Sequence, residues 1–129
     1  MQLVDVNHGD IDGKTALHVA AITGNLDSVQ MLLDFGANPR VRDMVHRTPT
    51  HWAAETDHHE VVTLLLEAGS TGFEKDADGK YPIHIATSCG HLQVVQSLID
   101  FNSDMATAID NVSFDRSMDY ILIVTISLS

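Results

Sequence analysis

The sequence predicts an all-α repeat solenoid, and two observations carry that prediction. First, three columns of identical residues recur at a step of 33 residues: His18, His51 and His84; Asp10, Asp43 and Asp76; Leu32, Leu65 and Leu98. A period of about 20 to 50 residues is typical of stacked repeats. Second, a length of 129 residues gives one domain with room for about three such repeats, close to the minimum that a stable stack needs.

Each period contains signals for a tight turn followed by two helices. In the first period, Thr15 is a suitable N-cap for a helix from Ala16 to about Thr23, and Gly24 can take the left-handed conformation that ends it. A second helix is predicted from about Leu26 to Phe35, because an apolar stripe recurs there at helical spacing. The stripe consists of Leu26, Val29, Leu32 and Leu33.

Residues Asp10 to Ala21 read Asp-Ile-Asp-Gly-Lys-Thr-Ala-Leu-His-Val-Ala-Ala, and the third period adds Gly-His-Leu-Gln-Val-Val from Gly90. These motifs resemble the ankyrin repeat, whose pattern is Asp-x-x-Gly-x-Thr-Pro-Leu-His-x-Ala-Ala followed by Gly-His-x-x-Val-Val-x-x-Leu-Leu. The resemblance implies a β-hairpin turn and an antiparallel pair of helices per repeat. It implies repeats at 10–42, 43–75 and 76–108.

The two ends of the chain fit the repeat frame less well. Residues 1–9 are expected to be the end of a preceding repeat or an N-terminal cap, because Val4 to Asn7 resembles the segment that closes an ankyrin repeat. Residues 109–129 are expected to be a degenerate fourth hairpin and an apolar tail. The stretch from Tyr120 to Leu128 is too short to span a bilayer as a helix. It is expected either to cover repeat three or to remain an aggregation-prone tail.

Repeat two is the least regular. Compared with the family pattern, His46 and Asp57 replace glycines and Thr50 replaces the core leucine, so we expect a strained middle unit. Trp52 stands in a column otherwise held by aliphatic residues, and we expect it to fill part of the volume lost at Thr50. In repeat three, Tyr81 replaces the capping threonine, which predicts a helix without that side-chain cap.

Composition limits the partners. A formal net charge of -11 argues against a nucleic-acid binder, because a polyanion is repelled, and favours a basic or amphipathic protein partner. Cys89 is the single cysteine and has no partner for an internal disulfide, and the chain starts without a secretory leader. We therefore expect a cytoplasmic protein, or a nuclear one.

Chemical sites are not expected. There are eight histidines, but the repeat accounts for His18, His51 and His84, which in the family bond the capping threonine and the next hairpin. His58 and His91 fall in the Gly-His column between helices, and Cys89 falls at an exposed helix end. Since no metal-ligand spacing, catalytic motif or cofactor fingerprint is present, we predict no metal, no cofactor and no enzyme activity.

The resemblance implies that a partner binds the concave face, made of hairpin tips and the exposed side of the first helices. The residues that fall there are Ile11, Asp12, Lys14, Ile22, Met44, Val45, Arg47, Glu55, Asp78 and Lys80. Among them Lys14, Arg47 and Lys80 form a row at 33-residue spacing, here called the basic row. Two alternatives stay open: the basic row is a solvated face, and Met44 and Val45 cover the interface between repeats.

The function predicted is therefore a protein-protein interaction module. The alternative is a fragment or isoform of a larger ankyrin-containing protein, such as an ion channel, a kinase or a ubiquitin-ligase adaptor, in which the array is regulatory. The segment at 4–9 and the abrupt loss of the pattern after Met105 favour this alternative.

Overall fold

The structure is a computed structural model that describes residues 5–102, and these residues form six helices and no β-strand. The helices are α1 (Ala16–Thr23), α2 (Leu26–Asp34), α3 (Pro49–Glu55), α4 (His59–Glu67), α5 (Pro82–Cys89) and α6 (Leu92–Phe101). α1, α3 and α5 pack in sequence along one layer, and α2, α4 and α6 pack along the other. The predicted solenoid is confirmed, while the expectations for residues 1–4 and 103–129 lie outside the described residues.

The core lies between the two layers and between successive helical pairs. Val29 of the predicted stripe is fully buried, and Leu26, Leu32 and Leu33 are partly buried against it. Small side chains such as Ala21 bring the first helices close together, since Ala21 itself is fully buried. The second helix of repeat one ends at Asp34, one residue before the position predicted from the sequence.

The first helices of repeats one and two each begin with a reciprocal pair of hydrogen bonds between the N-cap threonine and a histidine. Thr15 N–H donates to His18 Nδ1 at 3.0 Å, and His18 N–H donates to Thr15 Oγ1 at 3.4 Å. Thr48 and His51 repeat this arrangement. Tyr81 makes no side-chain cap, so the predicted loss is confirmed, and His84 N–H donates to the Tyr81 carbonyl instead at 3.0 Å.

The same histidines connect each repeat to the next. Because Nδ1 of His18 accepts the Thr15 amide, the proton of the neutral ring lies on Nε2, which donates to the Arg47 carbonyl at 2.9 Å. His51 Nε2 donates likewise to the Lys80 carbonyl at 2.9 Å. The structural role predicted for these imidazoles is therefore confirmed.

A second set of histidines connects the repeats at the carboxyl ends of the first helices. His58 Nε2 pairs with the Ile22 carbonyl at 3.2 Å, and His91 Nδ1 pairs with the Ala54 carbonyl at 2.9 Å. Gly24 makes room for His58, since a Cβ at Gly24 would lie 2.5 Å from the imidazole. Its φ of 76° also suits a glycine at the end of α1.

Residues 5–9 have the local conformation of the segment that closes repeat one. His8 N–H donates to the Asp5 carbonyl at 3.0 Å, as Val41 N–H donates to the Asn38 carbonyl at 3.3 Å. Asn7 N–H donates to Asp5 Oδ1 at 2.9 Å, and the matching bond 33 residues later, from Arg40 to Asn38, has the same length. We call residues 5–9 the closing turn.

Repeat two contains both the predicted strain and a compensation that was not predicted. His46 and Asp57 have φ of 61° and 63°, so both glycine replacements are left-handed. The hydroxyl of Thr50 pairs with that of buried Ser70 at 2.9 Å. The interpretation of Trp52 as a filler of lost core volume is wrong, because its indole N–H bonds to Asp43 beside the hairpin.

The buried hydroxyl pair of Thr50 and Ser70 predicts that mutations of these two residues have non-additive effects on stability. Thr50→Val and Ser70→Ala should each lower the free energy of unfolding by about 1–3 kcal/mol, because each leaves a buried hydroxyl without its partner. The double variant should lose clearly less than the sum of the two. Urea unfolding of all four proteins measures this coupling, and simple additivity would contradict it.

Backbone strain at His46 predicts opposite effects for two matched substitutions. His46→Gly should raise the free energy of unfolding by about 1 kcal/mol, because it relieves a left-handed non-glycine residue. Gly79→His, in the same column of repeat three, should lower it by a similar amount. Gly79 is a clean probe, since its φ is 76° and a Cβ there would meet no atom within 4 Å. Equal midpoints in urea for these variants and the parent protein would contradict the assignment.

The capping histidines predict a loss of stability in mildly acidic solution. Burial lowers the pKa of both His18 and His51, although their backbone carbonyl partners and nearby carboxylates oppose this. The unfolded chain, with ordinary histidines, therefore binds more protons than the folded chain below about pH 6.5. Stability should be full above that pH and fall as the pH drops below it. Urea midpoints at pH 7.5 and 5.5 test this, and His18→Gln should make the difference smaller.

Candidate functional site

Each hairpin is held by one aspartate. Asp43 Oδ1 accepts the Val45 and Arg47 amides at 3.0 and 2.9 Å, and Asp76 Oδ1 accepts the Asp78 and Lys80 amides, both at 2.9 Å. Asp43 and Asp76 are buried. The aspartate column therefore shapes the hairpins on which the predicted binding residues lie.

Successive hairpins are joined edge to edge through their backbones. Met44 N–H donates to the Asp12 carbonyl at 2.9 Å, and Ala77 N–H donates to the Val45 carbonyl at 3.0 Å. The side chains at these tips point to solvent: Ile11 is 90% exposed, Met44 69% and Val45 47%. We call these three residues the apolar ridge. With this exposure, Met44 and Val45 do not cover the interface between repeats.

Two members of the basic row bridge neighbouring repeats. Lys14 Nζ lies 3.7 Å from Asp43 Oδ2, and Arg47 Nε lies 3.5 Å from Asp76 Oδ2. Arg47 also approaches Glu55, with Nη1 3.2 Å from Oε2. Lys80, the third member, is exposed. Lys14 and Arg47 therefore have carboxylate partners within the chain.

The indole ring of Trp52 contacts both of these cations. The Lys14 ammonium is 4.8 Å from the centroid of the indole and the Arg47 guanidinium carbon is 4.6 Å from it, both at cation–π distance. The indole N–H donates to Asp43 Oδ2 at 2.8 Å. Trp52 is therefore a half-buried aromatic side chain that Lys14 and Arg47 share.

Asp43 is the most fully satisfied carboxylate of this site. Burial alone would raise the pKa of Asp43, but hydrogen bonds from the Arg47 amide, the Trp52 indole and the Val45 amide outweigh it and lower the pKa. The carboxylate is therefore charged at neutral pH. Repeat three has Ile85 where repeat two has Trp52, and Asp76 Oδ2 receives no hydrogen bond beside its ion pair with Arg47.

The other residues predicted for the binding face differ in their exposure. Asp12 and Asp78 are exposed at the hairpins, whereas Ile22 is half-buried near the end of α1. Trp52, Asp43 and Asp76 were not predicted to belong to this face. The sequence contained one signal that Trp52 belongs to this face. Trp52 lies three residues before Glu55 and therefore on the same side of one helix.

Carboxylates outnumber cations on the hairpins and first helices. These segments carry three basic residues (Lys14, Arg47 and Lys80) and six acidic residues (Asp10, Asp12, Asp43, Glu55, Asp76 and Asp78). Asp43 and Asp76 are buried and Glu55 pairs with Arg47, whereas Asp10, Asp12 and Asp78 are exposed on the hairpins. The face is therefore acidic overall, although it contains the basic row.

The structure also bears on the candidate chemical sites. Within residues 5–102, no three His, Cys, Asp or Glu side chains lie close enough together to hold a metal ion. Cys89 is exposed, and partial burial followed by the charge of Glu55 raises the pKa of its thiol, which disfavours the nucleophilic thiolate. No helix in this part of the chain has the length and apolar character to cross a membrane.

Comparison with known proteins identifies the family. A family model described as ankyrin repeats (3 copies) matches residues 1–76, and a model described as ankyrin repeat matches residues 78–111. No curated protein matches the chain. Ankyrin repeats are generally protein-protein interaction modules, and the family is typically non-enzymatic. With matches over most of its length and three stacked helical pairs, this chain belongs to the ankyrin-repeat family.

Proposed function

We propose that this chain binds a basic, amphipathic protein segment across its hairpins and first helices, with the apolar ridge as the anchor. The observation that carries the proposal is the exposure of Ile11, Met44 and Val45 at the tips of two successive hairpins. Exposed apolar side chains flanked by charge are typical of protein interaction sites.

The backbone of the ridge supports a preformed binding surface. Hydrogen bonds between the tips join Met44 to Asp12 and Ala77 to Val45, so the spacing of the hairpins is set before any partner arrives. A surface that is already ordered loses less conformational entropy on binding. Little of the binding free energy would then be spent on ordering this chain.

Charge supports a basic partner. Lys14 and Arg47 are paired with Asp43, Asp76 and Glu55, whereas Asp12 and Asp78 lie exposed beside the ridge. The net charge of -11 adds a long-range attraction for cations. Lysine or arginine side chains of the partner would meet the tip aspartates while its apolar side chains meet the ridge.

A second candidate function is a regulatory array within a larger ankyrin-containing protein. The closing turn of residues 5–9 favours it, because the same turn at 38–41 follows the helices of repeat one. For either function we propose binding without catalysis, in the cytoplasm or the nucleus. The lone exposed thiol of Cys89 supports such a reducing compartment.

The ridge predicts a selective loss of partner capture. Ile11→Ser combined with Met44→Ser should weaken binding at least roughly tenfold, because central apolar anchors carry much of an interface's free energy. Affinity capture from a native extract, followed by mass spectrometry and titration of the captured partner, measures this. The folded state should not change, since both side chains are exposed.

Phe35→Ser is the matched control, because Phe35 is 74% exposed and lies at the end of α2, away from the ridge. This variant should capture the partner as the parent protein does. Asp12→Asn with Asp78→Asn should weaken capture, and the weakening should shrink at high salt because exposed charges are screened there. Undiminished capture by the ridge variant would overturn the proposal.

A further inference from the structure

One charged side chain stands on the face formed by the first helices α1, α3 and α5. Glu55, the last residue of α3, is the single Asp, Glu, Lys or Arg residue in these three helices. The residues one period before and one period after it are Ile22, which is half-buried, and Ser88, which is exposed. The chemical character of this face therefore changes at Glu55.

Arg47 only partly neutralises Glu55. Arg47 Nη1 lies 3.2 Å from Glu55 Oε2, while its Nε lies 3.5 Å from Asp76 Oδ2 and its guanidinium carbon lies 4.6 Å from the centroid of the Trp52 ring. Three contacts hold Arg47 in place, and its one positive charge is shared by two carboxylates. The side chain of Glu55 is 39% exposed. Glu55 therefore remains accessible to a further cation while Arg47 stays in place.

The end of α3 adds to the negative charge at Glu55. The carboxyl end of a helix carries a partial negative charge, so a cation is favoured there and a carboxylate is disfavoured. The last turns of α1, α3 and α5 contain no basic residue. These helices therefore supply no charge of their own that balances Glu55.

The carboxyl ends of α3 and α5 are held together, and the charge of Glu55 acts at both. His91 Nδ1 pairs with the Ala54 carbonyl at 2.9 Å, which ties the residue before Glu55 to the segment just after α5. Burial raises the pKa of the Cys89 thiol, the charge of Glu55 raises it further, and Arg47 lowers it by less. At the end of α5 the negative charge of Glu55 therefore outweighs the positive charge of Arg47.

We propose that Glu55 accepts a lysine or arginine side chain of the partner between the carboxyl ends of α3 and α5. The inference rests on the proposed function and adds to it the position of one partner cation, beyond those at the tip aspartates. Charge complementarity supports it, because Glu55 shares its cation with Asp76 and lies at the negative end of a helix. Ile22 and Ser88, in the same column, offer a cation no charge, so Glu55 sets the register of the partner along this face.

Cys89 allows the charge at Glu55 to be measured without a partner, because it is the single cysteine of the chain and is exposed. The full chain is reacted with cationic 2-aminoethyl methanethiosulfonate and with anionic 2-sulfonatoethyl methanethiosulfonate. Each rate is divided by the rate of the same reagent with 2-mercaptoethanol, and the ratio of the two cancels any change in the thiolate fraction. Glu55→Gln should lower the cation-to-anion ratio at least roughly threefold at low salt, because a nearby carboxylate attracts one reagent and repels the other.

Glu67→Gln is the matched control for these rates. It removes the same charge from the exposed end of α4, which runs back from α3 and therefore ends at the opposite side of repeat two. This variant should change the ratio much less than Glu55→Gln does. Coincident circular dichroism spectra of the parent protein and both variants check that the fold is kept. If Glu55→Gln changes the ratio no more than the control does, the proposal is overturned.

Partner capture provides the second measurement. Glu55→Lys should weaken capture of the protein that the parent chain retains by about tenfold, because it brings two like charges together. Undiminished capture by Glu55→Lys overturns this inference and, where the ridge variant loses capture, leaves the proposed function standing. Undiminished capture by the ridge variant with loss by Glu55→Lys overturns the ridge as the anchor and supports Glu55 as a contact. Loss by both variants, with the fall in the reagent ratio, supports both.

Discussion

The structure depends on a neutral imidazole that links the start of each first helix to the next hairpin. In repeat one, His18 accepts the Thr15 amide on one ring nitrogen and donates to the Arg47 carbonyl from the other. His51 does the same between Thr48 and Lys80. A protonated ring has no acceptor nitrogen, so the link requires the neutral form that burial favours. One side chain thereby satisfies a helix start and fixes the distance between repeats.

The candidate binding face follows from this spacing. Once the hairpins are set a fixed distance apart, the Asp43 carboxylate can serve its own turn, the Trp52 indole and the Lys14 ammonium together. Lys14 and Arg47 pair with carboxylates that are buried, as in Asp43 and Asp76, or partly exposed, as in Glu55. This pairing leaves the exposed tip aspartates to determine the charge that a partner meets.

The middle repeat shows how the scaffold tolerates exceptions. His46 and Asp57 occupy left-handed positions, and Thr50 brings a hydroxyl into the core. Ser70 lies within hydrogen-bonding distance of Thr50, which removes the cost of a buried unpaired hydroxyl. The strain in the backbone is not compensated in this way. Repeat two is thus unusual in its turns. Its helices nevertheless pack between those of repeats one and three.

The sequence by itself determined the repeat period, the six described helices and the structural role of the histidine column. Those features depend on caps, turns and apolar spacing within about a dozen residues, and such local signals recur three times. The tertiary structure alone decided where Trp52 lies, which carboxylates pair with Lys14 and Arg47, and that Thr50 meets Ser70. The reason is physical: the Thr50–Ser70 pair and the ion pairs of Lys14 with Asp43 and of Arg47 with Asp76 join residues 20 to 29 positions apart, and the Lys14–Trp52 contact crosses between repeats, so these contacts exist only after the helices have packed.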